Sequence, residues 1–389
     1  MSTRTSTRLL ATTAVAALAL TACGRDLGPG DDETRDIVIG WTPPDVTGVF
    51  QTATNFFEEA AEDAEEAGFD IEVRTQAPEQ HTDYADQIGI IEDYISQNVD
   101  VIAVAPADTD TIRPAIQAAD EADIPVIMVN LLEEQEDMEI ASYIGFDNAE
   151  AAAVSAYSVL DYFGGPGVLG EGEEVEVPED GFLDLDFWES AYAEADEVDA
   201  QADGVIIEGI AGTFFSEQRL TGFREVLEEH GDIEIIAEPI AADWDREAGV
   251  SAAEDYLTRF DPDELDFIWA ASNEMGLGAV NVAEREGVLD DSGGEDAPEE
   301  GSVSVFTNDV TPESVQAIED GSLVAETHHG FGDWGWLGTR TAVELACGAE
   351  VDQTQDIRPR TAWQGNSDLF YPDPELPEID WESIMADCD

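Results

Sequence analysis

The chain has 389 residues, with 91 acidic side chains against 14 basic ones, a formal net charge of -77 and a pI near 4.1. A surface of one sign repels nucleic acid and anionic membranes, and a hydrophobic content of 43 % separates the chain from those that stay unfolded by composition. All 14 basic residues are arginine; without lysine there is no Walker-type phosphate loop and no Schiff-base enzyme.

The N-terminus reads as an address. Arg4 and Arg8 precede an apolar stretch from Leu9 to Leu20, long enough for a signal-peptide core and too short to span a bilayer. Leu20-Thr21-Ala22-Cys23 follows and resembles a bacterial lipobox, where small residues fit a peptidase and the cysteine thiol accepts lipid. Residues 1–23 are therefore expected to be a lipoprotein signal peptide acylated at Cys23; the alternative is an ordinary signal peptide with a chance cysteine. Residues 24–35 are rich in Gly, Pro and Asp and read as a flexible tether.

From Asp36 onward strand and helix patterns alternate. Ile37–Thr42, Ile71–Thr75, Val101–Ala105, Pro125–Asn130 and Ala141–Phe146 read as strands. Helices are expected over 49–67, 81–99 and 109–122, the second with Tyr84, Ile88, Ile91 and Ile95 on one face. The rhythm resumes with a helix at 149–163 and strands at 205–210, 233–240, 265–271, 303–307 and 324–328, with helices near 215–230, 245–260 and 274–287. Apolar strands separated by amphipathic helices imply parallel sheets covered on both faces, and this many elements imply two α/β lobes. Residues 164–204 and 289–301 break the rhythm and read as surface decorations; residues 364–389 read as an irregular tail. Cys347 and Cys388 form an even pair, which outside the cytoplasm reads as a disulfide; the alternative is two free thiols. So acidic a skin also fits a high-salt medium, where ions screen its self-repulsion.

Open α/β sheets bind ligands beyond the carboxyl ends of their strands. In this chain those ends carry Asp45 and Phe50, Asn130, Asp147-Asn148, Asp243-Trp244-Asp245, Ser272-Asn273-Glu274, Asn308-Asp309 and His328-His329. Amide and carboxylate groups beside flat aromatic faces suit a polyol, which needs hydrogen bonds in several directions and apolar walls. Each Asn or Asp taken singly reads equally well as a cap of the following helix; the recurrence at strand after strand favours a pocket. Other chemistry is weakly signalled. His81 with His328-His329 is a poor metal set, because adjacent strand residues face opposite ways. No HExxH, GxSxG or EF-hand pattern occurs. Neither an enzymatic role, a metal nor a cofactor is expected.

The same residues carry a family resemblance. Ile210-Ala211-Gly212-Thr213 with Arg219 and Gly222-Phe223, Asp243-Trp244-Asp245, Ser272-Asn273-Glu274-Met275-Gly276 and Asn308-Asp309-Val310-Thr311-Pro312 resemble, in order, segments of ribose-binding-type periplasmic proteins over residues 36–345. The resemblance implies a type I periplasmic sugar-binding protein of an ABC uptake system: two doubly wound parallel-sheet lobes joined by a three-segment hinge. It implies a first lobe of 36–146 plus about 330–350 and a second of 147–329 plus about 351–363. It carries ligand contacts onto Phe50, Asn130, Arg219, Trp244, Asn273, Asp309 and His329. Departures are visible too. Leu131 stands where the ribose binders have an arginine, the family's arginine position falls on Glu217 with Arg219 two residues on, and His329 replaces a glutamine. The expectation is a monomeric extracytoplasmic receptor, lipid-anchored, that captures a sugar or polyol and delivers it to an ABC permease. The alternative is a sensory subunit that reports the same closed state to a membrane kinase or chemoreceptor.

Overall fold

The computed structural model describes residues 34–388 except 136, 171, 173, 174, 196, 197, 294–297, 299 and 300. The expected signal segment with Cys23 and nearly all of the tether lie outside the described residues.

Strand β1 (Arg35–Thr42) sits between β2 (Phe69–Thr75) and β3 (Val101–Val104), and β4 (Val126–Val129) and β5 (Ser142–Gly145) extend the sheet beyond β3, all parallel. Helices cover both faces, so β3 and β4 are buried at every position and read as unbroken apolar runs. These helices are α1 (Gly48–Ala64), α2 (Tyr84–Gln97) and α3 (Arg113–Glu121). α2 stops where Asn98 turns left-handed at φ 52°. On that helix, the Tyr94 hydroxyl donates to the carbonyls of Trp41 (2.8 Å) and Arg74 (2.6 Å), tying α2 to the ends of β1 and β2.

Past β5 the chain enters a second unit of the same plan. In order come α4 (Asn148–Tyr162), α5 (Leu185–Glu194), β6 (Gln201–Glu208), α6 (Phe214–Glu229), β7 (Asp232–Ile235), β8 (Ile240–Ala241), α7 (Arg246–Arg259), β9 (Phe267–Ala270), α8 (Asn273–Glu286), β10 (Ser304–Asp309), α9 (Pro312–Glu319) and β11 (Ala325–His328). The return path adds α10 (Phe331–Ala346), β12 (Thr354–Asp356), β13 (Arg360–Trp363) and α11 (Trp381–Asp387). The sheet orders are β12-β5-β4-β3-β1-β2 and β13-β11-β10-β9-β6-β7, with β8 beside β6 and only β13 antiparallel. β1 lies between β2 and β3, and β6 lies between β7 and β9, so strand order reverses beside β1 and beside β6. Those reversals open the crevices where doubly wound sheets hold ligands.

Among the described residues four connections cross between the lobes: the tail between Tyr371 and α11, β5 to α4, β11 to α10, and β12 to β13. The last corrects the expectation for 351–363. β12 joins the first sheet by pairing with β5, and only β13 joins the second, by pairing with β11. The run at 233–240 is likewise two short strands, since Ile236 ends the pairing of β7 and Pro239 separates it from β8.

The 164–204 insertion, expected to be a surface decoration, and the C-terminal tail both contribute to the core. The insertion carries α5, whose Trp188 is fully buried and donates its indole N–H to Thr361 Oγ1 at 3.0 Å. Its first loop is held by the Asp161 carboxylate, which accepts the backbone N–H groups of Val168 (2.8 Å) and Leu169 (2.7 Å). The tail packs on both lobes. Phe370 and Tyr371 enter the second core, while Trp381 on α11 enters the first, contacts Phe69 and donates to Asp63 Oδ2 at 2.8 Å. Cys388 then closes a disulfide with Cys347 at the end of α10.

Candidate ligand-binding site

The carboxyl ends of the two sheets face one small cavity of about 60 Å³. Of the seven residues expected to touch ligand, six line it: Phe50, Asn130, Arg219, Trp244, Asn273 and Asp309. His329 does not. It is fully buried behind Asp309, stacked on Phe146 with ring centroids 4.0 Å apart. Phe215 and Phe331 also line the cavity. Phe331 opens α10 immediately after a crossing, a place where strand-end reasoning does not look.

Backbone geometry marks the same corners. Asn130 (φ 64°), Trp244 (64°) and Asp309 (118°) have positive φ, as do Asp243 (49°) and Val310 (62°) beside them. A non-glycine residue there costs about 1–2 kcal/mol, and such strain collects at functional sites. At Asn130 and Asp309 it occurs where strand runs into loop. The Trp244 indole lies over Gly209, where any side chain would overlap the ring.

Arg219 and Asp309 form the polar floor. Both are almost completely buried, with Nη1 3.3 Å from Oδ1. The guanidinium also donates to Asn148 Oδ1 at 3.2 Å and to the Ala271 carbonyl, and it lies over the Trp244 ring, 5.2 Å from the centroid. Burial lowers its pKa, opposed by Asp309; arginine nevertheless keeps its proton. The helical register explains why Arg219 and not Glu217 serves here: on α6 Glu217 is exposed and Arg219 points inward. Asp309 Oδ2 accepts the backbone N–H of Asn273 at 3.1 Å, and Asn273 Nδ2 donates to Thr311 Oγ1 at 3.0 Å. Asn273 is thus not the cap of α8, which Ser272 precedes. Thr311 does cap α9, in a reciprocal box with Ser314.

The opposite wall comes from the first lobe. Asp45 accepts from Thr47 at 3.0 Å (backbone) and 2.9 Å (hydroxyl) and pairs with His81 Nε2 at 3.0 Å. Burial raises the Asp45 pKa, but His81 and Thr47 outweigh it and the net shift is downward. The sequence presents His81 only as a poor metal ligand. It lies here, while His328 packs on Phe370 and His329 on Phe146, so the three histidines are not gathered.

His329 Nδ1 stands 3.1 Å from Asp309 Oδ1, too bent for a full hydrogen bond. Burial holds its pKa down to about 4, against the opposing pull of Asp309. An unfolded imidazole titrates near 6.5. The unfolded chain therefore takes up the proton first as pH falls. The stability is fully present above pH 6.5 and lost toward pH 4, by up to about 3 kcal/mol. Asp161, raised to about 7 by burial, acts in the opposite sense over an overlapping range. The comparison isolating His329 is with His329→Gln: the advantage of the parent protein in urea unfolding is expected to shrink between pH 6.5 and 4. A constant difference would mean that His329 does not titrate in that window.

A family model described as periplasmic binding protein domain matches residues 39–350. The fructose import binding protein of Bifidobacterium longum is 25 % identical over 314 residues, 81 % of this chain and 81 % of its own. The ribose import binding protein of Escherichia coli is 24 % identical over 292 residues, 75 % and 79 % of the two chains. Among solved structures, an ABC transporter periplasmic solute binding protein from Actinobacillus succinogenes with bound D-allose has a TM-score of 0.68 at 20 % identity, covering 86 % of this chain and 100 % of that one. One from Bacillus halodurans with bound myo-inositol has a TM-score of 0.66 at 21 % identity, covering 88 % and 98 %. At such identity the structural likeness establishes the fold.

Proposed function

The chain belongs to the periplasmic binding protein domain family, and on that premise we propose that it is a receptor for one uncharged sugar or polyol, which it captures between its lobes and passes to an ABC permease. The family is one of binding proteins rather than enzymes, and its members work outside the cytoplasm. Two of its relatives, by their names, bind fructose and ribose for import.

The charge pattern of the cavity is the observation that carries this reading. All three carboxylates that line it already have a partner: Asp45 bonds the His81 imidazole, and Glu274 and Asp309 form ion pairs with Arg246 and Arg219. An ammonium ligand finds no free carboxylate there, and an anion finds Arg219 already paired. Three buried acceptors on lining residues, Asn130 Oδ1, Ser272 Oγ and Asn273 Oδ1, have no partner among the described residues. Hydroxyl groups supply the donors that such atoms need. Phe50 and Trp244 offer the apolar faces against which a ring can lie.

Attachment through acylated Cys23 and action as a monomer belong to the same proposal. Mass spectrometry of membrane-extracted protein tests the first: an unmodified Cys23 would remove the anchor. The test of function is a thermal-shift screen at high salt with fructose, ribose, xylitol, allose, myo-inositol, amino acids and sugar phosphates. A ligand at a hundredfold excess over its Kd stabilises the fold by about 2.7 kcal/mol, a clear rise in Tm. A response confined to neutral polyols is expected; a response only to amino acids or phosphates would overturn the assignment.

A further inference from the structure

Glu274, near the start of α8 in the second lobe, lies against the first turn of α1 in the first lobe. A side-chain carbon added to Gly48 would stand 2.6 Å from Glu274 Oε1 and 3.3 Å from its carboxyl carbon. α1 begins at this point without a cap of its own. Thr47 makes no capping bond, its hydroxyl being turned to Asp45, and the first turn holds no acidic residue. A helix start carries partial positive charge and unsatisfied N–H groups. Asp45 already accepts the N–H of Thr47 here, and the Glu274 carboxylate brings a second negative charge to the same helix start from the other lobe.

Glu274 is also held in advance of any contact. Arg246 grips it through Nε to Oε2 at 2.7 Å and Nη2 to Oε1 at 3.1 Å. Glu313 grips Arg246 in turn, at 2.7 and 2.8 Å. All three residues belong to the second lobe, so the carboxylate is presented as a preformed group whatever the lobes are doing. A flexible glutamate would lose side-chain freedom on meeting α1; this one has already lost it.

We propose that Glu274 and Gly48 form a latch across the cleft that favours the closed state, with Glu274 acting as a positioning residue. The inference rests on the receptor reading above, because a latch matters only in a molecule that opens and closes. It requires glycine at position 48. Alanine there meets Glu274 when the lobes are closed, and it also strains the backbone, since Gly48 has φ +47°. The two effects separate in combination. Glu274→Ala removes the collision and leaves the strain untouched.

The experiment is small-angle scattering of the full chain, ligand-free and with fructose, ribose, xylitol, allose or myo-inositol as probes, for the parent, Gly48→Ala, Glu274→Ala and the double variant. The closed fraction is expected to fall about tenfold in Gly48→Ala and about threefold in Glu274→Ala, and the double variant should match Glu274→Ala. A double variant as open as Gly48→Ala, or a Gly48→Ala protein that closes like the parent, would overturn the latch. The ligand-free measurement decides this even when no probe binds, so a failed receptor assignment is distinguishable from a failed latch. Far-ultraviolet circular dichroism and the unfolding midpoint confirm that each variant is folded.

Discussion

Asp309→Ala is expected to abolish measurable ligand capture and to lower the unfolding free energy by about 3–5 kcal/mol. The size follows from burial: the Arg219 and Asp309 side chains are each only 6 % exposed. Removing the carboxylate leaves a buried guanidinium without its counter-charge, and the backbone N–H of Asn273 loses its acceptor. Loss of binding follows from the same change, because the floor of the cavity becomes positive and Asn273 is no longer fixed. Combining Asp309→Ala with Arg219→Met should recover most of the stability and none of the binding. Urea unfolding and calorimetric titration with the responding polyol check both halves. A single variant that costs under 1 kcal/mol would show that the pair is not desolvated as the structure implies.

Cys388→Ser is expected to produce the second large effect. The disulfide spans a separation of 41 residues, and closing a loop of that size stabilises by about 4 kcal/mol in the chain-entropy account. Trp381 and its bond to Asp63 retain part of the docking of α11, so the loss should approach that figure without exceeding it. Limited proteolysis adds a local readout: new cleavage is expected in the Pro-rich stretch before α11. Equal midpoints with and without reductant, together with an uncut tail, would show that the bridge adds nothing.

The alternation of apolar runs with amphipathic helices was legible because strands buried on both faces carry no polar positions, as in β3 and β4. The segments that misled were those whose burial depends on distant partners. Trp188 looks like part of an acidic insertion until Thr361, far along the chain, is placed beside it. β12 and β13 are too short to show periodicity, and only their pairing assigns them to different lobes. In the site, Asn130, Asn273 and Asp309 were readable as polar residues at strand ends. The placement of His329 behind Asp309 was not, because one residue after a crossing separates the cavity from the layer behind it. Asp45 with His81 and Glu274 with Arg246 escaped for a related reason. In a chain with 91 acidic residues, a carboxylate carries no information until its partner is seen.

The path of the chain between the lobes has a practical consequence. The described chain starts at β1 and ends at Cys388, and both belong to the first lobe, the latter through its bond to Cys347. Fluorescent proteins fused to the two ends would therefore ride on one rigid body, and their energy transfer should stay constant when ligand enters. A working optical sensor needs one fluorophore inserted in the second lobe.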